Sequence, residues 1–355
     1  FGGTGGCTMV INDVAVAGLN HKMGYRGTPN CLLNFGEAGG AVGWKIGAEG
    51  EGLRIMFQMM NEARVNVGLS GAALAYRGFE LSRRYASERI QGRSVLDKTA
   101  DEPVRLNRHP DVRRMLLAQK AIAEGSLALC LKGAMLADLA SHGADESIRK
   151  NAHDLLSLLT PVVKTWPSES ALTALNQAIQ IHGGYGYTRD FDVEQLYRDA
   201  RLNPIHEGTT GIQAIDLLGR KILFEDGKSF DLLLSEIRRD AHGGDAFEEE
   251  AATLSGLCDW FETLVRGELA LGRKGVALAN ASGFLDAFGH FVTGWIWLGM
   301  ARAAAATNDR VMAEQKAWTC RYYFAAEVPK IKGLVSLLVS SPDLLPTVPE
   351  GVVSP

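Results

Sequence analysis

"GGYGYTRDFDVEQLYRDARLNPIHEGTTGIQAIDLLGRK", residues Gly183 to Lys221, is the stretch from which the rest of the chain can be read. Gly183, Gly184 and Gly186 end a helical segment in a turn whose backbone can approach a ligand closely. Asp190, Asp192 and Glu194 open the next helix, where acids meet the positive end of the dipole, and Arg198 and Arg201 fall near its far end. Each of these charges also suits an ordinary solvated helix face. Pro204 stops that helix. His206, Glu207 and Gly208 then form a loop, and Thr209 starts another helix that continues to Arg220. A carboxylate at such a junction sits on a rigid support and faces whatever cavity lies beyond, which makes Glu207 a candidate general base. By periodicity alone it reads as an acid stabilising the start of the following helix.

Working back towards the N-terminus, "SESALTALNQAIQIH" (Ser168–His182) reads as a helix, and Pro161 and Pro167 mark a connection before it. Further helices are expected over Asp145–Leu159, over Asp111–Ser141 directly after Pro110, and over Leu53–Glu88. In the last of these, Ile55, Met59, Val65, Leu69 and Ala72 recur at helical steps, and no proline intervenes before Pro103. Before it, Met9–Val16 and Cys31–Phe35 read as strands separated by Gly, Asn and Pro. "GAEGEG" (Gly47–Gly52) reads better as a turn between domains than as a phosphate loop. After Lys221, "FEDGKS" (Phe224–Ser229) is a linker. Helical stretches follow at Asp231–Asp240, Phe247–Leu271, Phe284–Ala306 and Val311–Leu338, with an irregular Pro-rich tail from Ser341. The expected architecture is mainly α: a partial β-domain (1–50), a helical bundle (51–224), an additional helical domain (228–340) and a tail (341–355).

The chain has 355 residues, 46% apolar and 22% charged, with a formal net charge of −4. That is an ordinary globular composition and argues against a nucleic-acid partner, which demands a basic face. Cys7, Cys31, Cys130, Cys258 and Cys320 form no CxxC pair, so neither a zinc site nor a disulfide framework is expected, and a reducing cytoplasm suits them. No signal peptide is visible, and the most apolar stretch, Gly294–Ala306, is interrupted by Arg302 and too short to span a bilayer.

The combined string Gln180-x-x-Gly183-Gly184-x-Gly186-Tyr187, Arg198-Asp199-Ala200, Glu207-Gly208-Thr209 and Ile212-Gln213 closely resembles the C-terminal signature of acyl-CoA dehydrogenases. "KMGYRGT" (Lys22–Thr28), "MNEAR" (Met60–Arg64 with the methionine before it at Met59) and "YASERIQGR" (Tyr85–Arg93) resemble upstream parts of the same family, so the likeness covers about residues 10 to 222. It implies an FAD-dependent desaturation of an acyl-CoA thioester between Cα and Cβ, with Glu207 as the α-proton base. The Glu207 backbone N–H would bind the thioester oxygen. Arg64 would lie near the CoA end and the base, with His206 and Gly208 beside the substrate. Arg89 and Gln91 would reach the flavin pyrophosphate of a neighbouring subunit, Gln180, Gly183 and Gly184 would cradle the ADP part of FAD, and Thr209 would touch its adenosine portion. The implied partners are an electron-transfer flavoprotein and a second copy of the chain, in a homodimer or a dimer of dimers. An alternative base position used in the family falls on Ala63, which favours Glu207.

The chain departs from the family pattern in several places. "RIQGR" stands where an aromatic is usual, Gln195 where a basic residue is common, His206 where an aromatic commonly precedes the base, and Gly211 where a side chain is usual. These features and the added C-terminal helices resemble a long bacterial subfamily. The segment that usually hydrogen-bonds the flavin ring is not found, nor is an N-terminal helical domain, which reads as a fragment of a longer protein. Three other readings compete: a non-catalytic flavoprotein of the same fold that binds DNA or a partner through its extra C-terminal domain, a truncated scaffold or assembly subunit without chemistry, and an acyl-CoA oxidase. Acids outnumber basic residues after Gly227, which disfavours DNA.

Overall fold

The computed structural model describes residues 12–96, 102–224, 227–244, 246–269 and 274–354. Residues 9–11 of the expected first strand, two residues of the 224–229 linker and the end of the helix expected to reach Leu271 lie outside the described residues. Two compact units are present, 1–59 and 60–355.

In the first unit, β1 (Val14–Leu19) pairs antiparallel with β2 (Cys31–Phe35), with a register shift between Val16 and Gly18. The expected strand over Met9–Val16 thus begins later. The reason lies in Asn12 and Asp13, whose side chains bind the chain beyond β2. Asn12 exchanges two bonds with Val42, and Asp13 Oδ2 accepts from the N–H groups of Ala38 and Gly40. Helix α1 (Gly52–Glu88) matches the expected helix.

The second unit is helical. Helix α2 (Pro110–His142) starts with proline at its first position, as expected. Helix α3 (Glu146–His182) corrects the sequence reading: it is one continuous helix with Pro161 and Pro167 inside it, not two helices and a connection. A proline in a helix leaves the carbonyl four residues earlier without its N–H. Here the neighbours compensate. The Val163 carbonyl, freed by Pro167, lies directly against Gly68 of α1, where a Cβ would stand only 2.0 Å from it. Within the helix, the hydroxyls of Thr160 and Ser168 donate to the carbonyls of Leu156 and Lys164, which the prolines do not free. Every residue from Leu158 to Ser168 is buried. Tertiary burial overrides local propensity there.

After α4 (Val193–Ala200) comes α5 (Thr210–Ile215), which widens into a π-helical segment over Asp216–Phe224. The single regular helix expected from Thr209 to Arg220 is therefore split. Helices α6 (Lys228–His242), α7 (Glu248–Thr263), α8 (Lys274–Ala279), α9 (Ala281–Ala305) and α10 (Arg310–Tyr322) follow. The long helix expected over Val311–Leu338 is broken after a π-turned segment, Tyr323–Glu327, by Pro329. It resumes only as α11 (Lys330–Leu334) and α12 (Ser336–Ser340). The tail, expected to be irregular, contains one short helix, α13 (Glu350–Val353).

One apolar core runs through α2, α3, the Asp216–Phe224 segment, α6, α7, α9 and α10. Two indoles lock it. Trp166 of α3 lies on Gly289 of α9, where a Cβ would come within 2.3 Å of its ring. Trp297 of α9 lies on Gly125 of α2 and donates its N–H to the Ala121 carbonyl at 3.1 Å. Arg302, which interrupts the apolar run of α9, gathers the carbonyls of Asp240 and Ala241 in the last turn of α6 and of Gly244 and Ala246 just after it.

Two alanine substitutions test the close approach of α1 to α3. Gly68→Ala should lower stability in urea unfolding by about 3 kcal/mol, because backbone on both sides must move. Gly256→Ala, in α7 with nothing within 4 Å of the new methyl, should raise it by about 0.5–1 kcal/mol through helix propensity.

Candidate active site

The loop that carries Glu207 is shaped by its own backbone first. The N–H groups of Ile205 and His206 both bond the Leu202 carbonyl, and Thr210 N–H reaches back to Pro204. Glu207 itself sits at φ 55° and Gly208 at φ 95°. A left-handed backbone costs a non-glycine residue about 1–2 kcal/mol, so something outside the loop must hold Glu207 there.

The holding groups are Lys164 and Gln213. Lys164 projects from the buried segment of α3 and is fully shielded from solvent. Its ammonium donates to the Asn203 carbonyl at 2.8 Å and the Gly208 carbonyl at 2.7 Å, one at each end of the loop. The amide of Gln213, buried in α5, donates to the Glu207 carbonyl at 3.0 Å. With its carbonyl fixed from below, Glu207 turns its side chain outward, where it keeps 28% of its exposure and lies 3.5 Å from the His206 ring. Among the described residues no acceptor takes the Glu207 N–H. Neither Lys164 nor Gln213 was given a role from sequence. The signal for Lys164 was a lone charge in an apolar run between two prolines, a place that read as a connection.

Charged groups surround this amine. Burial pushes Lys164 down to about 8, opposed by the nearby carboxylates of Glu169 and Glu207 and reinforced by Arg64. Arg64, on α1, is buried and pairs with Asp216 at 3.6 Å, and Asp216 also pairs with Arg220. Thr210 Oγ1 donates to Glu169, tying the start of α5 to α3.

The other sequence-selected residues lie elsewhere. Gln180, Gly183 and Gly184 are exposed at the C-terminal end of α3, about 27 Å along that helix from Lys164 at 1.5 Å per residue. Gly183 has φ 60°, and nothing lies within 4 Å of a Cβ built on it or on Gly184, so the turn is open to a ligand backbone. Arg89 and Gln91 are exposed just beyond α1, where the chain bridges back to Val104 and Arg105 and the Gln91 carbonyl bonds His109 at 2.8 Å. The Gly183 turn rests on a ring cluster: Tyr85 stacks on His182 at 4.4 Å, with Phe191 edge-on to both. Burial pushes the His182 imidazole down. Thr209 is the exposed N-cap residue of α5, without a side-chain capping bond. The chain thus brings Glu207, His206, Gly208, Thr209 and Arg64 to one level of α3 and Arg89, Gln91, Gln180, Gly183 and Gly184 to another. A cavity of about 510 Å³ between α3 and the C-terminal helices is lined by Trp166, Glu169, Thr210, Asp286 and Lys330 but not by Glu207.

A family model described as "Acyl-CoA dehydrogenase, C-terminal domain" matches residues 50–223, and one described as "Acetyl-CoA dehydrogenase C-terminal like" matches residues 233–348. The chain belongs to the acyl-CoA dehydrogenase family. Among curated relatives in that family, it is 38% identical over 309 residues to the 3-methylmercaptopropionyl-CoA dehydrogenase of Ruegeria pomeroyi, covering 85% of this chain and 52% of the relative. It is 34% identical over 317 residues to a broad-specificity linear acyl-CoA dehydrogenase of Mycobacterium tuberculosis, covering 84% of this chain and 51% of the relative. The chain therefore spans about half the length of these acyl-CoA dehydrogenases. The same fold occurs in ACDH-11 of Caenorhabditis elegans, solved with C11-CoA. There the TM-score is 0.75 at 19% identity, over 93% of this chain and 55% of that one. An acyl-CoA dehydrogenase of Bacillus anthracis, solved with FAD, matches with TM-score 0.71 at 19% identity, over 94% of this chain and 58% of that one. No helix among the described residues is long and apolar enough to cross a membrane.

The depressed lysine makes a prediction about folding. A lysine that is harder to protonate when folded costs stability while it is charged, and the cost is relieved as pH rises from about 8 towards its ordinary 10.5. Wild type should therefore gain stability relative to Lys164→Met across that window in urea titrations. A constant difference would show that the amine is not desolvated.

Proposed function

We propose that this chain supplies the base-bearing half of an FAD-dependent acyl-CoA dehydrogenase, with Glu207 removing the α-proton of an acyl-CoA thioester. The observation that carries this reading is the left-handed, externally clamped backbone at Glu207, which a surface acid at a helix start would not need. A thioester α-proton is too weakly acidic for a carboxylate in water, so the enolate-like charge on the thioester oxygen must be stabilised as it forms. The Glu207 N–H is the chain's donor for that oxygen, and it moves with the carboxylate because both belong to one clamped residue. His206, 3.5 Å from the Glu207 carboxylate, orients or screens it at the substrate edge. Arg64 lies behind the loop, paired with Asp216, and supports it electrostatically while lying near the CoA end.

FAD fits the second group of residues: the open Gly183–Gly184 turn admits a phosphate-bearing chain, and the exposed Arg89, Gln91 and Gln180 side chains supply donors for it. When bound, FAD supplies a two-electron acceptor for the hydride leaving Cβ. Because this group lies about 27 Å along α3 from the base, a flavin held by it serves the Glu207 of a second copy. That separation is compatible with the shared sites of a homodimer or a dimer of dimers that the family resemblance implies. Thr209 would contact the adenosine portion of FAD, as the family resemblance implies. An electron-transfer flavoprotein is the electron acceptor of such an enzyme.

Glu207→Gln in the full-length protein should leave flavin bound and slow anaerobic flavin bleaching by acyl-CoA by about 10²–10⁴-fold. Normal bleaching by this variant would remove Glu207 from the mechanism. A full-length protein that purifies without a flavin band would favour a scaffold instead.

A further inference from the structure

We propose that Lys164 is the positioning residue of the Glu207 loop: its buried amine, bonded to the Asn203 and Gly208 carbonyls, holds the left-handed turn that aims both the Glu207 carboxylate and its N–H. The inference rests on Glu207 being the base.

The geometry singles out the lysine. Its two acceptors bracket Pro204–Glu207, so a single side chain closes the loop from both ends at 2.8 and 2.7 Å. A buried amine is costly compared with a methionine or leucine of similar size, and nothing in helix packing requires one at this position. Both of its hydrogen bonds go to the loop, and none goes to a carboxylate. Its two helical neighbours in the same buried segment, Trp166 and Val163, pack on α9 and α1, so the support from which it reaches is immobilised on two sides. The charged groups facing it are Glu169 from α3 itself, Arg64 from α1 and Glu207 from the loop, with Asp216 of the π-turned segment neutralising Arg64. Gln213 acts on the carbonyl between the two lysine contacts. A loop held at Asn203, Glu207 and Gly208 has little freedom left at the one residue whose backbone and side chain would both face the substrate. A 1 Å displacement of such a group costs about 10²-fold in rate.

The test uses the full-length flavoprotein, with anaerobic single-turnover bleaching of the flavin by butyryl-CoA in wild type, Lys164→Met and Glu207→Gln. Lys164→Met should retain its flavin and lower the limiting rate about 100-fold, while the half-saturating concentration of butyryl-CoA changes less than about threefold. That split separates positioning from general loosening, which would weaken flavin or substrate retention. Amide hydrogen exchange should quicken in the peptide covering residues 203–209 and stay unchanged in α2. If Glu207→Gln bleaches normally, the base reading and this inference fall together. If Glu207→Gln is inert but Lys164→Met keeps a limiting rate within about threefold of wild type, the base stands and the positioning role is wrong. Should Lys164→Met fail to fold, Lys164→Gln, which keeps one amide donor, takes its place in the same assay. A loss of about 10-fold supports the inference, and a rate within twofold of wild type overturns it.

Discussion

A helix with two prolines and a lysine in its most buried segment depends on the neighbours that close around it. The middle of α3 is that segment, and the rest of the bundle is arranged around it. Gly68 gives the freed Val163 carbonyl a partner surface with no side chain in the way. Gly71 likewise lets α1 approach the Pro167 carbonyl closely, where a Cβ would stand 2.8 Å away. Trp166 fills the space over Gly289, and the Lys164 amine leaves the helix altogether to bond the loop before α5. Packing and site are therefore one problem in this protein: the segment that requires α1 and α9 to close around it is the same segment that carries the clamp for Glu207.

Electrostatics follow the same geometry. Burying one cation alone would be prohibitive, and α3 buries Lys164 among groups of alternating sign: Glu169 and Glu207 against Arg64, then Asp216 against Arg64 and Arg220. The balance is incomplete. Lys164 remains harder to protonate than an exposed lysine because desolvation outweighs both carboxylates. An amine that costs stability where an apolar residue would not has to be retained for what it bonds, and it bonds two loop carbonyls.

The sequence made the helical class, most helix positions and the Glu207 loop readable, because glycines, prolines and apolar spacing act locally. It misled wherever a long-range contact overrode a local rule. Pro161 and Pro167 read as a connection, yet Gly68, more than ninety positions away in the chain, makes the helix continuous by meeting the Val163 carbonyl. Periodicity likewise gave no sign that the helix after Thr210 widens at Asp216, where the carboxylate is drawn in to Arg64. Lys164 was illegible for a related reason. A single lysine in an apolar run has no pattern, and its acceptors are backbone carbonyls, which every residue possesses. Motif likeness singled out Glu207 and the Gly183 turn, and it contained Gln213, which bonds the Glu207 carbonyl, but Lys164 lies outside it.

The C-terminal helices are not an appendage in energetic terms. Trp166 and Trp297 are among the largest fully or nearly buried side chains, and each is covered across the junction between the two matched regions. Trp166 belongs to α3 and is covered by α9, whereas Trp297 belongs to α9 and is seated on α2. Loss of a buried tryptophan side chain costs about 3–5 kcal/mol, comparable with much of the net stability of a domain. Because the contacts are reciprocal, neither half can shed the other without exposing an indole and opening a gap over a glycine. The buried face of α3 that supports the Glu207 loop is thus completed from the far end of the chain. A substitution at Gly289 would press on Trp166, two residues from Lys164 in α3, even though Gly289 does not touch the loop.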